Sequence, residues 1–187
     1  MANTLKMAIQ QSASDFEEIA RRHSALETQL MDAGMSVTDV RSDGNCFFRA
    51  ASIILHDTES RHASLRELVA AHIQRLGSLL GGIVDVSPDD GQSFEAHVQA
   101  LRTDGTAVGE DVIAALAAVS GRDVMIYIAY TEPQVYKCQS SSSNEPLRLA
   151  FFEPGHYMAV RPIITSTHIA PPANNLNESD SFLIEDF

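Results

Sequence analysis

Apolar residues in the first half of the chain recur at helical spacing, while those in the second half gather into short runs of strand formers. Phe16, Ile19, His23, Leu26 and Leu30 fall three and four residues apart after a cap at Ser14–Asp15, and Gly34 supplies a stop. A short strand, residues 35–40, follows. The polar turn Arg41-Ser-Asp-Gly-Asn leads into an apolar helix over 46–56. Leu65, Leu68, Val69, Ile73 and Leu76 line one face of the next helix, which is expected to stop at Gly81–Gly82. Residues 83–92 read as a loop. Ser93 caps a short helix carrying Phe94, Val98 and Leu101, and residues 110–120 form another that ends at Gly121. Strands are then expected over 123–130, 133–138, 147–152 and 156–160, with a Ser-rich loop at 140–143 and the turn Glu153-Pro154-Gly155. Helices first and strands later predict an α+β fold with a largely antiparallel sheet.

Length and composition narrow the picture. A chain of 187 residues, 44% hydrophobic and 20% charged, suits one globular core. No apolar run approaches the roughly 18 residues that cross a membrane, and the first dozen residues carry no leader pattern. These features predict a protein of cytoplasmic type. The net charge of −12 argues against nucleic acid and anionic membranes as main partners and favours a partner that is basic at the contact. The stretch from about residue 171 holds four acids and no base and reads as a disordered tail, leaving the remainder acidic at −8. Two cysteines without metal-like spacing predict neither structural zinc nor a disulfide scaffold, and nothing calls for a cofactor.

Chemistry concentrates at Cys46. The residue stands where a polar turn meets a helix, and a helix N-terminus favours an anion such as a thiolate. Gly44 permits a backbone conformation closed to larger residues. Asp43 and Asn45 stabilise such turns through side-chain to backbone bonds, and the N–H groups of the turn suit an oxyanion. A buried, inert cysteine starting an apolar helix fits the residues equally well. Cys138, at the end of a strand-like run, lacks this setting. Of seven histidines, His156 differs in opening a strand just after a turn, where a sheet edge meets the nucleophile helix. Spacing alone does not establish that contact.

The segment SDGNCFFRAAS resembles the signature D-G-N-C-hydrophobic-F-R-A of the ovarian-tumour (OTU) family of cysteine proteases, and FEPGHYMAV resembles its His-Tyr motif. Between them, GTAVGEDVIAALAAVSGRDVMIYIAY is similar to the family's middle stretch, so the resemblance covers about residues 35–162. It implies a papain-like fold, a central sheet packed between helices, and thiol-dependent hydrolysis of the isopeptide bond after a ubiquitin C-terminus. It implies Cys46 as nucleophile, His156 as general base and Asp43 as either a support of the oxyanion loop or the third catalytic residue, with Gly44 and Asn45 supporting that loop. Glu110 and Asp111 are candidate contacts for the arginines of a ubiquitin tail, and Tyr157 is a further substrate-binding candidate. Two positions depart from the family pattern. Met158 stands where an Asp or Asn often orients the histidine, which leaves that task to Asp43 first, or to another acid, or else a weakened enzyme, and Thr106-Ala107-Val108-Gly109 lacks the usual Trp. A silent ubiquitin-binding module, or a protease of another ubiquitin-like modifier, are the alternatives. The organisation expected is a helical extension over 1–34 packed on the core, a catalytic domain over 35–168 and the acidic tail over 169–187. The expected partner is ubiquitin or polyubiquitin, bound by a monomer in the cytoplasm (the host's, if the chain is a microbial effector).

Overall fold

A computed structural model of the chain describes residues 2–79, 93–139 and 144–163, with side chains from residue 11 onward. The expectations for Gly81–Gly82, the loop 83–92, the Ser-rich loop 140–143 and the acidic tail lie outside the described residues. The elements run α1 (Ala2–Asp32), β1 (Met35–Thr38), α2 (Cys46–His56), a 3₁₀ turn at Glu59–Arg61, α3 (His62–Leu79), α4 (Phe94–Arg102), α5 (Glu110–Ser120), β2 (Val124–Tyr127), β3 (Gln134–Tyr136), β4 (Leu147–Phe152) and β5 (His156–Pro162).

The five strands form one sheet in the order β1-β5-β4-β2-β3. The β1/β5, β4/β5 and β2/β3 pairs are antiparallel and β2/β4 is parallel. Side chains alternate across the sheet with the period of two that strand geometry imposes. Val124, Ile126, Leu147, Leu149 and Ala159 meet α2, α3, α4 and α5 in the larger core. Tyr127, Ala150, Phe152 and Val160 face the other way, where Leu26 and Leu30 of α1, each 1% exposed, cover them. The sheet is thus packed between helices, as the α+β reading expects.

The pattern misplaced the start of α1. The helix begins at Ala2, and Ser14–Asp15 lie within it. No Gly or Pro interrupts residues 2–32, so helix propagation runs on upstream. Asp15 accepts a bond from Gln11 one turn back (2.8 Å) instead of capping a terminus. The cap at Ser93 forms as expected, its hydroxyl accepting from the Ala96 N–H at 3.2 Å. Among the described residues no helix is long and apolar enough to cross a membrane. No disulfide joins Cys46 and Cys138.

Candidate active site

Between β1 and α2 the chain makes the tight turn that carries Cys46. Gly44 sits at φ +77°, in the left-handed region, and a Cβ there would lie 2.1 Å from the carbonyl oxygen of Gly105. Both the dihedral and the close approach demand glycine. We expect Gly44→Ala to lower unfolding stability by about 2–3 kcal/mol, measured by denaturant titration; an unchanged midpoint would show that the turn relaxes freely.

The first bond of α2 runs from the Arg49 N–H to the Asn45 carbonyl (2.9 Å), and the Asn45 side chain does not cap the helix. Its oxygen is turned inward, accepting from Arg66 Nη2 (2.9 Å) and from the Gly105 N–H (3.1 Å), and the residue is 1% exposed. The leading N–H groups of α2 are thereby left to an incoming anion. Asn45 does support the loop, by tying it to a second one.

Asp43 lies on the flank of this turn. It accepts from the Asn45 N–H (3.1 Å) and, with both carboxylate oxygens, from the guanidinium of buried Arg49, whose Nε is 3.1 Å from each. Hydrogen bonding to Arg49 holds the Asp43 carboxyl well below the usual carboxylate range, against the cost of burial. Arg49 reaches Glu59 as well (3.4 Å). Asp43 is therefore a brace for the turn that carries Cys46.

The sulfur of Cys46, on a residue 7% exposed, meets the backbone on both sides of His156. The Tyr157 N–H donates to Sγ at 3.5 Å, and Sγ–H donates to the Gly155 carbonyl at 3.8 Å. The strand edge and the start of α2 thus come together. The acid bonded to the His156 ring is not Asp43 but Asp39, which accepts from Nε2 at 2.8 Å. Hydrogen bonding from His156 lowers the Asp39 pKa, opposed by burial and reinforced by the Val40 N–H. An ionised carboxylate only accepts, so Nε2 carries the proton and Nδ1 holds the lone pair of the neutral ring. That Nδ1 is buried and has no hydrogen-bond partner among the described residues.

The register explains the substitution. Thr38 pairs with Ala159 across β1 and β5, and one further step sets Asp39 opposite Met158. Met35, Val37 and Met158 all pack toward the α1 side, the side to which alternation assigns Asp39 and His156 too. The acceptor absent from β5 is supplied by the neighbouring chain segment on the same face. In the sequence, Asp39 was absorbed into an expected strand over 35–40, and an acid within a strand-like run was its only signal.

The remaining candidates are placed less centrally. Glu110 is exposed in the first turn of α5, and Asp111 is paired with His97 of α4 at 2.7 Å. The Tyr157 ring packs against Phe47 and Phe151. Its phenol is pushed up to about 12, by burial first and then by Tyr136 and Cys46, so it stays neutral around pH 7; the residue meets the site through its backbone N–H. Arg66 was missed, because a buried arginine on a helix looks like a surface one in sequence, and Arg49 stands within the quoted signature but was given no role. Among the described residues no group of three His, Cys, Asp or Glu is placed to hold a metal ion.

No family model matches the chain. The Arabidopsis thaliana protein named OVARIAN TUMOR DOMAIN-containing deubiquitinating enzyme 7 is 24% identical over 138 residues, covering 74% of this chain and 36% of that protein. The mouse OTU domain-containing protein 3 is 28% identical over 161 residues, covering 85% of this chain and 37% of that protein. The chain thus spans a little over a third of the length of each of these relatives. The solved structure of the OTUD1 OTU domain has the same fold, with a TM-score of 0.63 at 18% identity, covering 75% of this chain and 94% of that one. Curated relatives of that name and a solved structure of that fold together support an OTU domain family for this chain.

Proposed function

We propose that the chain is a cysteine-type isopeptidase that hydrolyses the bond after the C-terminal glycine of ubiquitin. The observation that carries this reading is the convergence at Cys46: a sulfur at a helix N-terminus, set against the backbone flanking a histidine whose far nitrogen is bonded to Asp39. A relative named as a deubiquitinating enzyme supports the choice of ubiquitin.

In the proposed reaction His156 Nδ1 takes the Cys46 thiol proton, and the thiolate attacks the isopeptide carbonyl. The leading N–H groups of α2 hold the oxyanion. The lysine amine leaves with the proton from His156, giving a thioester, and water activated by the same nitrogen releases the ubiquitin carboxylate. Asp39 keeps the ring in the required tautomer throughout and acts as a positioning residue.

A silent ubiquitin-binding module drew its support from Met158. With an acceptor 2.8 Å from His156 Nε2, the active reading is the stronger. The test is a panel of modifier probes, each carrying a C-terminal electrophile. The ubiquitin probe should form a covalent adduct whose site, by peptide mass spectrometry, is Cys46. Adduct with another modifier alone would replace ubiquitin as substrate, and no adduct with any would return the silent module.

A further inference from the structure

Arg66, on α3, is a buried cation, 3% exposed, whose hydrogen bonds all run to neutral oxygens. Nη1 donates to the Leu101 carbonyl (3.0 Å), and Nη2 is shared among the Gly44 carbonyl (3.2 Å), Asn45 Oδ1 (2.9 Å) and the Thr106 carbonyl (3.0 Å). Its plane lies over the Phe48 ring, 4.6 Å from the centroid, and Nε has no hydrogen-bond partner among the described residues. Desolvating a guanidinium without a paired anion is costly, and neutral oxygens can be bridged by neutral donors as well. The charge itself calls for an account.

The acceptors belong to the Gly44–Asn45 turn and to residues 101–106, the end of α4 and the loop after it, which meet in front of the nucleophile. The Gly44–Asn45 peptide is held at both ends, its C=O by Arg66 and its N–H by Asp43. The Asn45 C=O points down α2 to Arg49, so in a trans peptide the Cys46 N–H points the opposite way, out of the helix end. Beyond Arg66, the 101–106 segment is fastened by the Gly105 N–H to Asn45 Oδ1 and by the glycine contact at Gly44. The negative groups facing the guanidinium are Asp104, Asp43 and, when ionised, Cys46. Asp43 is already neutralised by Arg49.

We propose that Arg66 is a positioning residue for the hydrolysis, riveting the Cys46 turn to the 101–106 segment and directing its charge at the thiolate and at the oxyanion that succeeds it. The proposal rests on the isopeptidase reading for its kinetic part and on the geometry alone for its effect on Cys46. Loop fastening and charge separate experimentally, because lysine keeps the charge but lacks the planar fork that spans four oxygens.

The experiment uses the full chain with Arg66→Lys and Arg66→Met, each checked for folding by circular dichroism. One measurement is the pH profile of Cys46 alkylation by iodoacetamide, which needs no ubiquitin and registers the thiolate against His156, Asp43 and Asp104. Arg66→Met should move its midpoint up by about one pH unit, as loss of a nearby opposite charge does, and Arg66→Lys should restore most of that shift. The second measurement is cleavage of di-ubiquitin, where both variants should lose about tenfold or more in kcat with KM within about twofold, the pattern of a group that acts in the transition state. A folded Arg66→Met protein with the wild-type alkylation midpoint and kcat overturns the proposal. Should Arg66→Met not fold, Arg66→Lys decides: wild-type kcat there overturns the fastening role. A wild-type protein inert toward ubiquitin refutes the isopeptidase reading instead, and the alkylation profile still reads Arg66.

Discussion

Alanine in place of Cys46 abolishes adduct formation and di-ubiquitin cleavage, a loss on the order of 10⁴-fold or more if the sulfur is the nucleophile. The loss will not stem from unfolding. Cys46 is buried in the core, and deleting its sulfur also takes away the acceptor of the Tyr157 N–H, together a cost of about 1–3 kcal/mol that leaves α2 and the sheet in place. The variant should therefore stay folded by circular dichroism, with a melting temperature only a few degrees lower, while turnover disappears. Cys138→Ala is the matched control, because the bond from its backbone N–H to Asp123 survives the change (2.9 Å). Residual turnover near the wild-type rate in Cys46→Ala would transfer the nucleophile elsewhere.

Asp39→Ala lowers kcat on the order of 10²–10³-fold with KM nearly unchanged, the expected result when a histidine base loses the group that sets its tautomer. Asp39→Asn should recover part of the rate, because an amide oxygen still accepts from Nε2–H. A residue that merely stabilised the fold would show neither the kcat-only loss nor the rescue. Asp43→Ala should differ in kind. The Asp43 pKa is depressed by Arg49, so its contribution to stability is fully present above the ordinary aspartate value of 3.8 and is lost as pH falls through the lower native value. The variant should be less stable than wild type at neutral pH, with the gap closing below about pH 4. Urea titrations across pH 2–7 would show this. A kcat-only loss in Asp43→Ala beside a near-normal Asp39→Ala would hand the orienting role back to Asp43.

These two aspartates mark the boundary of what was legible. Asp43 lies three residues from Cys46, within a local motif, so its membership of the nucleophile turn was readable. Its partner was not, because Arg49 becomes a neighbour only once α2 has formed and turned its side chain back. Asp39 and His156 are 117 residues apart, and no local periodicity connects them. Their contact follows from one pairing register, β1 against β5, in which a slip of one residue would send Asp39 to the other face. Arg66 is harder still: three of its four acceptors are backbone carbonyls, present at every residue and therefore without a sequence signal.

Sequence alone determined the α+β class, α2 starting at Cys46, and the turn whose glycine admits a left-handed backbone. These rest on short-range sterics and periodicity, which a chain carries with it into any fold. Tertiary structure alone decided which acid holds His156, which cation stands behind Cys46, and that Asp43 braces the turn. Those depend on distances between segments far apart in the chain, set by sheet register and by what a buried polar group must bond to once water is gone.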